Sequence, residues 1–278
     1  MKTVLKKVMV LSVVSSISCM ATAAGLSHPK EPGQLPTGKD IFANEDKVVG
    51  SFYAAGDKQG LLDQITKLNQ LLSSDKAISK ADARYYLALS SYRLGLVDYK
   101  NAKTHLQKCI DETNGIVTTD AQYTEAYILT AACSNSLIGN MPERTMELSL
   151  AGRTALQRAA ELEPANPRLL YIQAVTALYT PPQFGGGLPR ASTLLEQSIQ
   201  QFEAKAADKT KAYPRWGLDE AYVWTGVIFS VNGKNTEAIA ALEKSLDVSQ
   251  SSWVKTQLLP TLKRGSSIGP HFGLQLSN

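Results

Sequence analysis

The chain is short of the residue types that most often declare chemistry. Three cysteines and three histidines are spread over 278 residues, and 7% of the side chains are aromatic. So few cysteines exclude a disulfide-stapled scaffold. The histidines, His28, His105 and His271, lie far apart. No His-Glu-x-x-His, paired-cysteine or acidic calcium-loop pattern accompanies them, so neither a metal site nor a cofactor is expected. Beyond the first 24 residues no apolar run is long enough to cross a bilayer, and no integral membrane span is expected. Sustained alternation with period two is missing as well, which argues against a sheet.

The amino terminus has what the remainder lacks. Lys2, Lys6 and Lys7 precede an apolar stretch, VMVLSVVSSIS, and the small residues of ATAAG follow it. This is the pattern of a secretory signal peptide, cut after Ala23 or Ala24, and it places the mature chain in the periplasm or outside the cell. Cys19 would suit lipid attachment, but Ser16 stands where the bacterial lipobox carries Leu, so a lipid anchor is the less favoured reading. Removing the leader takes Lys+Arg from 29 to 26 against 25 Asp+Glu. A nearly neutral mature chain gives no ground for nucleic-acid binding. Cys109 and Cys133 then remain. An oxidising compartment would let them pair; the alternative is two small buried side chains.

Residues 25–40 are rich in Pro, Gly and polar groups and read as a flexible lead-in. Residues 41–262 read as paired helices. In LLDQITKLNQLL, for example, Leu61, Leu62, Ile65, Leu68, Leu71 and Leu72 share one helical face. Residues 263–278 form a turn-rich tail, expected to fray or pack loosely. Within the helical region a pattern repeats. Tyr222, Gly226, Phe229, Gly233, Ala238, Leu242 and Ser245 place small residues where two helices of a hairpin would touch and large ones between them. Leu87, Ala88, Gly95, Ala102, Leu106 and Cys109 repeat it upstream, and Gly152, Leu156, Ala159 and Pro164 match its second half. Pro167 opens a further unit at a favoured first-turn position.

This pattern resembles the tetratricopeptide repeat (TPR) over residues 80–252, in the exported bacterial type that carries an FGGG-containing loop. The resemblance implies an all-α, TPR-like α-solenoid of stacked helical hairpins, with a helical pair near residues 46–73 capping its first unit. It also implies a concave groove lined by the first helix of each unit. On this chain those positions include Tyr85, Tyr92, Arg93, Arg168, Tyr171, Tyr179 and Glu220. Tyr85, Tyr92, Arg93, Arg168, Tyr171 and Tyr179 are the candidate contacts for a protein or peptide partner, because Tyr and Arg supply contact area and charge-assisted hydrogen bonds. Trp216 and Trp253 are expected to cap the stack or pack between helices.

The loop PPQFGGGLPR, residues 181–190, falls inside the third unit. Pro181 and Pro182 end one helix, the glycines supply unusual backbone angles, and Pro189 starts the next helix. It is no phosphate loop, since no Lys-Ser/Thr follows the glycines and no strand precedes them. Phe184 has two readings here: it folds back onto its own repeat, or it joins a binding site. One catalytic pattern, GSSIG at 265–269, matches a nucleophile elbow, but it sits in a polar tail with no strand before it and only His271 downstream. The expectation is a non-enzymatic binding protein. The alternatives are a small-molecule-binding accessory component of periplasmic solute uptake, with a closed, deep apolar pocket near Phe184, and an envelope assembly or structural protein.

Overall fold

In a computed structural model of the chain, residues 38–73, 80–207 and 214–275 are described. The residues read as a signal peptide, Cys19 and nearly all of those read as the lead-in lie outside them. The described residues form helices joined by turns, and no strand occurs among them. A first pair, α1 (Gly38–Ala55) and α2 (Lys58–Leu72), precedes four hairpins. These are α3 (Lys80–Val97) with α4 (Ala102–Thr119), α5 (Thr124–Ile138) with α6 (Thr145–Leu162), α7 (Pro167–Tyr179) with α8 (Leu188–Ala207), and α9 (Leu218–Val231) with α10 (Asn235–Val248). Each hairpin packs on the next, as an α-solenoid requires. A π turn, Val254–Leu258, runs into the short α11 (Leu259–Lys263) and closes the far end.

Local chemistry explains the boundaries. The Asp57 side chain accepts the Gly60 N–H at 2.9 Å and starts α2. Asn166 accepts the N–H groups of Arg168 and Leu169 at 3.0 and 3.4 Å, with Pro167 in the first turn of α7. The small residues of the repeat lie where the helices cross. A Cβ on Gly95 would stand 2.8 Å from the Leu106 side chain, and one on Gly226 would stand 3.1 Å from both the Leu242 side chain and the Ala238 carbonyl. The second unit matched the repeat loosely because a single 3-10 turn, Pro142–Arg144, is inserted before α6.

The first helix of each hairpin lies on the inside. Twelve residues of α3 are buried, from Ala83 to Gly95, against four of α10. One apolar cluster runs from Val49 in α1 to Ile228 in α9, and a second joins α9 and α10 to the C-terminal turns. Cys109 of α4 and Cys133 of α5 form a disulfide, with Cα atoms 6.3 Å apart, tying the first hairpin to the second. The tail neither frays nor packs loosely as far as residue 275. Ile268 is fully buried with its N–H on Ser230 Oγ at 3.0 Å, and the Phe272 ring lies 4.8 Å from Trp224 and 5.3 Å from Trp253. An aromatic and an aliphatic in the tail cover the open end of the last hairpin, a duty that short-range pattern does not reveal.

Candidate functional site

The inner face of the stack carries the six groove residues anticipated from the repeat, and all six meet other parts of the same chain. Arg93, on α3, forks onto the Glu220 carboxylate of α9, with Nη1–Oε1 at 2.5 Å and Nη2–Oε2 at 2.7 Å. Its guanidinium also lies 4.2 Å from the Tyr53 ring of α1 and 5.2 Å from the Trp216 ring. Arg168, at the start of α7, is completely buried. It holds Glu125 of α5 through two bonds, Nε to Oε2 at 2.7 Å and Nη2 to Oε1, and its Nη1 donates to the Pro214 carbonyl.

Pro214 begins a four-residue strap, Pro214–Gly217, that leads into α9 along this inner face. Asp46 of α1 accepts the Arg215 N–H at 2.9 Å. The Trp216 indole N–H donates to the Tyr85 hydroxyl at 2.7 Å, and the Tyr92 and Tyr171 rings stand 6.4 and 6.3 Å from the indole. Tyr179 donates to the Phe272 carbonyl at 3.0 Å and meets Trp224 edge-on at 6.2 Å. Five of the six side chains are therefore buried and the sixth, Tyr179, half-buried. Their burial takes them out of the open channel that the repeat pattern implied. The reason is physical: the strap fills the space between the first helices, and an ion pair clasps the first unit to the fourth.

The interior of this contact is dry enough to move titrations. Burial pushes the Asp46 carboxyl up to about 7, although the Arg215 N–H, Arg168 and Tyr86 favour its charged form. Asp219 is pushed up to about 6 by burial and by the neighbouring Glu220 charge, against Arg93. Burial likewise pushes the Tyr92 phenol up to about 12.

Phe184, the remaining candidate, is placed quite differently. It is 75% exposed at the end of the 3-10 turn Pro182–Phe184, so it does not fold back onto its repeat. The loop backbone is held firmly. Phe184 N–H donates to Pro181 O at 2.9 Å, Gly185 N–H to Pro182 O at 3.0 Å, and Gly187 N–H to Ala177 O at 2.8 Å. Gly185 and Gly187 have φ of +82° and +98°, the left-handed region in which glycine is least strained. A Cβ on Gly186 would collide with the Thr180 carbonyl oxygen.

Beside this loop, through Pro189, a cleft of about 480 Å³ opens between the start of α8 and the end of α9. Leu188, Pro189, Ile228 and Phe229 make its apolar wall. Ser192, Asn232 and Lys234 supply its polar rim. Neither the cleft nor the roles of Asp46 and Glu125 could be found from the repeat pattern. For the strap there was one signal, a Trp between Pro and Gly in a stretch without helical period.

Among the described residues no other constellation gathers. Ser266 is exposed in the turn after α11, while Ser267, the central residue of GSSIG, is half-buried with its hydroxyl 3.0 Å from Ser230 Oγ and accepts the Gly269 N–H at 3.1 Å; among the described residues no hydrogen bond joins either serine to His271. His105 pairs with Asp98 at 3.3 Å beside the α3–α4 turn. Among the described residues no group of three His, Cys, Asp or Glu side chains could hold a metal ion, and no helix is long and apolar enough to cross a membrane.

No protein-family model matches the chain, and no curated protein matches it either. Solved structures do. The HusA haemophore from Porphyromonas gingivalis superposes with a TM-score of 0.57 at 21% identity, over 70% of this chain and 95% of its own. A thermophilic TPR protein from Thermus thermophilus gives 0.54 at 16% identity, over 80% of this chain and 98% of its own. At these identities the likeness is one of fold: an all-α solenoid of TPR-like helical hairpins.

Proposed function

We propose that this TPR-like solenoid is an exported, non-catalytic binding protein that takes a protein or peptide partner on the edge around Phe184. The observation that carries this reading is a phenyl ring 75% exposed on a hydrogen-bonded turn. Burying a Phe side chain is worth about 1.5–3 kcal/mol, and a loop already fixed loses little further freedom on binding. Aromatic anchors of this kind dominate interfaces when a partner pocket desolvates them. The six inner residues act in this reading as the frame that holds the edge rigid. The leader-like amino terminus supports export, and the Cys109–Cys133 bond suits an oxidising compartment. The test is affinity capture from envelope extract with residues 25–278 as bait, beside the Phe184→Ala variant. Loss of the captured protein by the variant, with an unchanged circular dichroism melt, is the expected outcome. Equal capture by both baits would discard the site.

A second reading, a carrier or accessory component for a small molecule, is favoured by the cleft beside the loop. The cleft is half open to solvent, and Phe184 is not among the residues that line it. One structural neighbour is named a haemophore. None of the side chains lining this cleft is a His, Cys, Met or Tyr that would ligate iron, so haem is not carried over as its ligand.

A further inference from the structure

We infer that the hairpin-turn edge of the solenoid rests on an anionic lipid surface, its apolar tips in the headgroup layer and its cations over the phosphates. The inference goes beyond the partner reading and does not depend on it.

The hairpins set their internal turns side by side. Lys58, opening α2, donates to Asp98 of the α3–α4 turn at 3.3 Å, and Arg144 of the α5–α6 turn donates to Gln107 of α4 at 2.9 Å. Asn135 and Thr176, in the last turns of α5 and α7, bond at 3.0 Å. Asn235, opening α10, donates to the Leu262 carbonyl of α11 at 2.9 Å. These contacts make one continuous edge from α2 to α11.

Apolar exposure gathers there. Among the described residues seven large apolar side chains are exposed, and five belong to this edge. Tyr99 and Phe184 stand in turns; Leu62, Met146 and Leu150 stand within two turns of the start of α2 or α6. Met146, 87% exposed, and Phe184 protrude furthest. Charge is biased on the same edge. Lys100, Lys103, Arg190, Lys234, Lys263 and Arg264 are exposed, and none enters a salt bridge among the described residues. The acids beside them are largely engaged: Asp57 caps α2, Asp98 holds Lys58 and Glu147 holds Arg144, which leaves Glu143 and Glu237. The far edge, where the second helices end, differs. There Arg158 and Lys205 are paired with Glu161 and Glu163, and Asp120 and Asp247 add exposed acids.

A protein partner needs a fitted pocket for each protruding tip, and these tips are carried by separate hairpins. A bilayer interface yields to each of them. It accepts aromatic and aliphatic side chains at headgroup depth, and its anionic lipids attract Lys and Arg. Unpaired cations interspersed with apolar tips are complementary to that surface in both charge and polarity.

The test is sedimentation of residues 25–278 with sucrose-loaded vesicles. Binding is expected to mixtures of phosphatidylglycerol with phosphatidylcholine and not to phosphatidylcholine alone, and raised salt should weaken it. A cation near such a surface is worth about fivefold in affinity, so Arg190→Gln combined with Lys234→Gln should weaken binding about 25-fold. Met146→Ser should also weaken it while leaving the salt dependence in place. Lys80→Gln combined with Lys255→Gln, at exposed cations of the far edge, should change it little. Equal binding to both kinds of vesicle, or equal losses from the two double variants, overturns the inference. So does failure to bind either vesicle; if Phe184-dependent capture of a protein persists in that case, the edge belongs to a protein. Vesicle binding by a chain whose protein capture ignores Phe184 discards the partner reading alone.

Discussion

Asp46 shows how strongly single side chains are committed to the interior. Its carboxyl sits at about 7 in the folded protein, against 3.8 for the free side chain. Between those values the native state holds a proton that the unfolded chain has released. The contribution to stability is complete at low pH and is lost as pH rises through about 7. Its slope is at most about 1.4 kcal/mol per pH unit. Asp219 acts in the same direction with a folded value of about 6. Urea midpoints should thus fall from pH 5 to pH 8, and Asp46→Asn should flatten that fall while raising the midpoint at pH 8. An equal slope in the variant would show that Asp46 is not the group responsible. The residue scale was only half legible in the sequence. The repeat register put Tyr85, Arg93, Arg168 and Tyr171 on the inner face, where they are. What they touch was hidden, because Glu125, Trp216 and Glu220 lie 43 to 131 positions away from their partners.

At the scale of elements, helices and turns were read well because they obey local rules. Pro167 opens α7, and the crowded prolines and glycines after Tyr179 prove to be geometry. Within that loop the three glycines are not equivalent. Gly185 has a positive φ but open space around it, so Gly185→Ala should cost about 1 kcal/mol of backbone strain. Gly186 has the Thr180 carbonyl oxygen where a Cβ would stand. Gly186→Ala must push the loop off α7 and should cost about 2–3 kcal/mol. Chemical denaturation of the two variants decides this, and a reversed order would show that the loop is loosely held. What escaped the sequence is the tail, where Ile268 and Phe272 carry no period, and the direction of the Phe184 ring, which depends on hydrogen bonds between turns.

For the whole molecule, the solenoid was legible and its closure was not. Repeat patterns describe neighbours in sequence, and the Arg93–Glu220 pair joins the first hairpin to the fourth. The pair is nearly sealed from solvent, with side-chain exposures of 4% and 12%. Removing one charge leaves the other stranded, so Glu220→Gln should cost about 3 kcal/mol. The clasp should also make unfolding a single event. Open repeat arrays melt by neighbouring units; here circular dichroism and the fluorescence of Trp216, Trp224 and Trp253 should give superimposable urea transitions. Separate midpoints would mean that the two ends come apart independently.

The clasp also limits how this architecture can change over evolutionary time. Open stacks grow and shrink by duplicating or deleting hairpins, because each new unit needs only the one beside it. Here an added or lost hairpin would carry Glu220 away from Arg93 and draw the strap out from beneath α1. Repeat number is thereby locked, and diversification is left to the loops and to the outward-facing edge.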